Sequence, residues 1–96
     1  MKEIKHLKEA EKFINEQLGG QILHFRINEK LWTQEELAQQ SGLTRNHIHL
    51  IEKGKRNIRV TTLRNIAQAY DITVSELCGF TFHSEDQKYY LNGTHF

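Results

Sequence analysis

Apolar residues recur along this chain at helical rather than strand spacing, in blocks parted by short polar or glycine-containing breaks. Within residues 1–18, Ile4, Leu7, Ile14 and Leu18 share a stripe, with Phe13 alongside and Glu11 interrupting it. Lys and Glu cover the rest of that surface, so the pattern predicts an amphipathic helix. Gly19-Gly20 predicts a break or bend before a second helix over residues 21–30. After Thr33, Leu37 and Ala38 form the buried stripe of a short helix, and Ile48 and Ile51 lie three apart on one face of the next. Leu63, Ile66, Ala67 and Tyr70 give residues 60–70 an inward face, and Thr73 caps a last short helix through Leu77. The absence of proline and the many Gln, Glu, Lys and Leu residues agree with an all-helical body.

The middle of this pattern is the most specific. Thr33 followed three residues later by Glu36 forms a capping box, in which each residue satisfies a backbone N–H of the other. Gly42 supplies the permissive backbone that a sharp turn between helices needs, and Thr44 caps the helix that follows. Ala38 is a small side chain where two helices crossing steeply must approach. Residues 33–54 therefore read as a helix-turn-helix.

The run from 22 to 77 also resembles the DNA-binding domain of the Cro/CI-type (Xre) family of phage repressors and bacterial regulators. The resemblance is carried by Thr33-Gln34-Glu35-Glu36-Leu37-Ala38, Ser41-Gly42-Leu43-Thr44, Ile48 and Ile51-Glu52-Lys53-Gly54-Lys55-Arg56-Asn57. Leu63, Ile66-Ala67 and Ile72-Thr73-Val74-Ser75-Glu76-Leu77 extend it in the same order. It implies an all-α fold, a compact five-helix lambda-repressor-like bundle whose second and third helices read DNA. Around that bundle the chain adds an N-terminal amphipathic helix (1–19) and a short aromatic tail (80–96), leaving 20–79 as the DNA-binding domain.

Charge distribution changes the meaning of a formal net charge of only +1. Between Thr44 and Arg64 six basic residues stand against Glu52 alone, a local +5 that leaves −4 for the remainder. A basic face on the second helix of the pair and the loop after it is an electrostatic footprint for phosphate; its bland alternative is a solvated surface. An α-helix fits the major groove with its N-terminal residues at the base edges. Those residues are Arg45, which can pair with guanine O6 and N7, and Asn46, which can pair with adenine N6 and N7. His49, one turn on, reaches bases or phosphate. Leu50 departs from the family pattern, which has a polar reader there; it meets a thymine methyl or serves packing.

Gln34, at the start of the first helix of the pair, is a phosphate ligand by resemblance, where the exposed N–H groups also favour an anion. Thr33, Thr44, His47, Lys53, Lys55, Arg56, Asn57 and Arg59 complete the expected phosphate contacts. The family also pairs the glutamate at Glu52 with an arginine of the first bundle helix, for which Arg26 is the candidate. The Arg26-to-Thr33 connection is about one residue longer than usual in that family.

Other chemistries are poorly served. His47 and His49 point about 200° apart on a helix and cannot share an ion, and no CxxC or HExxH occurs, so no metal or cofactor is expected. No nucleophile–base spacing, phosphate-binding glycine loop or convergent carboxylate pair is present, so the chain reads as no enzyme. A single cysteine, Cys78, excludes an internal disulfide and suits a reducing cytoplasm. No apolar run reaches the roughly 18 residues of a membrane span, and the start is unlike a secretory signal.

Five of the nine aromatic residues lie in 80–96, and Phe80-Thr81-Phe82 alternates like a strand. A hairpin pairing it with residues 88–91 would need to dock on the bundle or a second subunit; the alternative is an unstructured end. The resulting expectation is a cytoplasmic transcription regulator that binds a palindromic double-stranded DNA operator as a homodimer, most simply as a repressor. A homodimer follows because one recognition helix reads too few base pairs for specificity. A restriction–modification controller or an antitoxin with a toxin partner shares these features. The competing class is a protein-interaction module that keeps the fold without binding DNA.

Overall fold

Ile22, Leu37, Ile48, Ile51, Ile66 and Leu77 expose no surface to solvent, and these six positions come from every α-helix of the molecule. The structure is a computed structural model that describes residues 2–79. Its elements are α1 (Lys2–His24), a π-helical segment (Phe25–Lys30), α2 (Gln34–Ser41), α3 (Arg45–Glu52), α4 (Val60–Tyr70) and α5 (Val74–Leu77). Among the described residues there is no strand, and the helices that the periodicity predicted form the all-α bundle that the resemblance implied. Burying each of these aliphatic side chains contributes roughly 1.5–3 kcal/mol. The expectations for 80–96, a hairpin and a dimer contact, lie outside the described residues.

One expected boundary is absent. α1 runs unbroken through Gly19-Gly20, so the amphipathic helix and the first bundle helix are a single 23-residue element. Two mid-helix glycines each cost about 1 kcal/mol relative to alanine, and tertiary packing accounts for the first. A Cβ at Gly19 would collide with the carbonyl oxygen of Ile51, whereas one at Gly20 would meet nothing. Gly19 therefore permits α1 to cross the end of α3 at close range. Of the stripe foreseen for 1–18, Leu18 lies against the core, while Leu7 is 65% exposed.

Phe25–Lys30 continues α1 as a π-helix, a form that spends an extra residue per turn. Leu31, in the left-handed region at φ 58°, ends it. Arg26 and Trp32 then exchange bonds: the Trp32 N–H donates to the Arg26 carbonyl at 3.0 Å, and Arg26 Nη1 donates to the Trp32 carbonyl at 2.8 Å. Phe25 stacks on Tyr70 at 5.7 Å between ring centroids, and Trp32 approaches Tyr70 at 6.0 Å. The Tyr70 hydroxyl donates to the Ile22 carbonyl at 2.7 Å, fastening α4 to α1. Burial, followed by the nearby Glu52 carboxylate, pushes the Tyr70 phenol well above its ordinary pKa.

Candidate nucleic-acid interface

Local chemistry sets the two short helices. The Glu36 N–H donates to Thr33 Oγ1 at 3.1 Å, and the Thr33 N–H donates to Glu36 Oε1 at 2.8 Å, closing the capping box at the start of α2. Gly42 takes φ 75°, and the N–H groups of Gly42 and Leu43 both donate to the Ala38 carbonyl, ending α2 and turning the chain. Thr44 Oγ1 then accepts the His47 N–H at 3.0 Å and starts α3. Ile48 and Ile51 anchor α3 in the core. Its opposite face is thereby left to solvent.

On that face Arg45, Asn46 and His49 share one open groove with Gln34 from the start of α2. All three α3 residues are exposed. The groove combines a guanidinium, two carboxamides and an imidazole, which between them can donate to and accept from base edges. Leu50 is half-buried and does not line it. Thr33 and Thr44 are engaged as caps, with hydroxyl hydrogens still able to donate.

A second cleft lies between α3 and α4. His47, Lys55, Arg56, Asn57 and Arg59 line it together with Thr61 and Thr62. No side chain caps α4 among the described residues, so its first-turn N–H groups remain available to an outside acceptor. Burial and, next, the charge of Arg56 hold the His47 imidazole below its ordinary pKa. Lys53 is exposed at the end of α3 and stands outside this cleft. Thr61 was not foreseen from the sequence; its position in the first turn of a helix that follows a basic loop was the available signal.

A charged clamp adjoins the reading groove through Gln34. Arg26 Nε donates to Glu52 Oε2 at 2.7 Å, and Arg26 Nη2 donates to Oε1 at 3.0 Å, a two-pronged pair with the carboxylate side chain only 3% exposed. Gln34 Nε2 also donates to Glu52 Oε1, at 2.9 Å. The hydrogen bonding of Arg26 to Glu52 raises the Arg26 pKa. One carboxylate thus ties the π-helical segment, α2 and α3 together. Gln34, foreseen as a phosphate ligand, has one amide hydrogen committed to this clamp while the residue borders the reading groove.

Comparison with known proteins agrees with this geometry. Residues 23–77 match the helix-turn-helix family. Over 53 residues the chain is 38% identical to a hypothetical transcription factor of Neisseria meningitidis, covering 55% of this chain and 49% of that protein. It spans only about half of that relative's length. It is 41% identical over 60 residues to the HTH-type transcriptional regulator y4dJ of Sinorhizobium fredii, covering 62% of this chain and 77% of the other. With control protein C.BamHI of Bacillus amyloliquefaciens the identity is 30% over 63 residues, covering 66% and 78%. No described helix is long and apolar enough to cross a membrane.

Proposed function

This chain belongs to the Cro/CI-type helix-turn-helix family of DNA-binding transcription regulators, a non-enzymatic family, and from that premise we propose that it binds a palindromic operator as a homodimer and represses transcription. Arg45 and Asn46 read base edges in the major groove, with His49 behind them. Gln34 and the cleft of His47, Lys55, Arg56, Asn57 and Arg59 take the flanking phosphates. The observation that supports this most is the shared groove, in which side chains suited to base edges meet the start of α2 beside a basic cleft. Two copies related by a two-fold axis would place their α3 helices in half-sites one helical turn, roughly 34–36 Å, apart. The similarity to control proteins supports a regulatory role of that general kind. A regulator of this kind works in the cytoplasm, where Cys78 stays reduced.

Selection from a random duplex library tests the reading. An inverted repeat should be enriched, and Arg45→Ala should relax one base position in each half-site. Failure of a folded protein to enrich any motif would transfer the surface to a protein partner, such as a toxin.

A further inference from the structure

The family match begins at residue 23, which leaves most of α1 outside it. That part of α1 nevertheless meets the basic loop. Lys8, Glu11, Lys12 and Asn15 form one wall of an open groove whose other wall is Lys55, Arg56 and Asn57. The last three residues also line the cleft against α4, so the two depressions share a rim. The loop is seated firmly on the helix. Asn15 Nδ2 donates to Asn57 Oδ1 at 2.7 Å, and Gly54, at φ 71°, packs so near Glu16 that a Cβ there would lie 2.8 Å from the Glu16 side chain.

We propose that the N-terminal part of α1 is an added DNA clamp, in which Lys8 and Lys12 bind backbone phosphates of the same duplex that Lys55 and Arg56 contact. The proposal rests on the DNA-binding reading above and extends its footprint beyond the family domain. Among the described residues lining this groove, four cations face one acid, Glu11, a net of three positive charges, with Glu16 beside Gly54 at its edge. Lys8 and Lys12 stand one helical turn apart and are both exposed. Each carries a point charge on a flexible stem, which suits phosphate oxygens better than base edges. Continuity decides between DNA and an acidic protein: a backbone seated against Lys55, Arg56 and Asn57 from the α4 side needs only to cross the shared rim to meet α1.

The test compares the full chain with a Lys8→Ala/Lys12→Ala variant on a mixed-sequence duplex several helical turns long, across a salt series. Alanine keeps the helix, and thermal unfolding verifies that the variant is folded. Each lost phosphate contact lowers the log–log salt slope by about 0.9, so the double variant should lose about 1.8 per protomer. Between about 50 and 200 mM salt the parent chain should therefore lose roughly tenfold more affinity than the variant. Ethylation of the outermost phosphates should hinder the parent chain and leave the variant unaffected. Equal slopes and equal interference, with Arg56→Ala still lowering the slope, would overturn the clamp and leave the DNA reading intact. A parent chain that ignores every duplex yet holds polyglutamate through Lys8 and Lys12 would overturn both.

Discussion

The two ends of α3 are built to opposite requirements. At its start, Arg45 and Asn46 are exposed, and Thr44 caps the helix by accepting the His47 N–H on its hydroxyl and the Ile48 N–H on its carbonyl. At its end, Ile51 and Glu52 are buried; the carboxylate takes three hydrogen bonds from Arg26 and Gln34, and the Ile51 carbonyl sits against Gly19. Eight residues therefore hold both a surface free to vary its chemistry and a joint that fixes where that surface points. Substitutions at the two ends should separate stability from binding.

The largest effect belongs to the joint. Arg26→Ala leaves a buried carboxylate with Gln34 alone and should cost about 3–5 kcal/mol in denaturant unfolding. Pairing Arg26→Met with Glu52→Leu removes both charges and should recover most of that loss. A single substitution costing less than about 1 kcal/mol, the range of exposed ion pairs, would mean that the clamp is open to water.

The adjacent glycines sharpen the same joint. Gly19→Ala should destabilise by about 1–3 kcal/mol, because the new methyl group forces α1 away from the Ile51 carbonyl. Gly20→Ala, in open space on the same helix, should stabilise by up to about 1 kcal/mol. Like signs for the two in thermal unfolding would refute the close crossing. These residues also mark where the sequence stops being legible. The caps at Thr33, Thr44 and Thr73 and the turn at Gly42 were readable because their partners lie within five residues. Gly19 and Gly20 look alike in sequence, and only the fold reveals that one faces a neighbouring helix. The π-helical segment was equally hidden, since no composition marks it; the one surplus residue between Arg26 and Thr33 was its sole trace. The reading residues were legible as residue types, but the meeting of Asn15 with Asn57 joins positions 42 apart.

At the other end of α3, Arg45→Ala should leave stability within about 0.5 kcal/mol of the parent. The same change should cost about 1–3 kcal/mol in binding to the selected duplex, and discrimination should weaken at a single base position. Calorimetric unfolding and a competition binding assay measure the two quantities on one preparation. A stability loss as large as the binding loss would erase the contrast between the ends.

The smallest effect probes His47, which lies between them. In the free protein its imidazole gives up its proton more readily than usual, from burial first and from Arg56 second. A phosphate in the cleft supplies the opposite charge and raises the imidazole pKa, so the complex holds more protons than the free chain. Affinity should then rise as pH falls through the range around 6.5, each unit of difference between bound and free pKa being worth up to about tenfold. Stability of the free chain has the opposite sign. Because the folded pKa is lowered, the unfolded chain binds more protons below its ordinary value near 6.5, and His47 contributes a loss of stability on acidification. His47→Gln should flatten both trends. The binding curve is taken at fixed ionic strength, because salt alone changes the strength of phosphate contacts. A binding profile that keeps its full slope in His47→Gln would assign the proton to another group and remove His47 from the phosphate cleft.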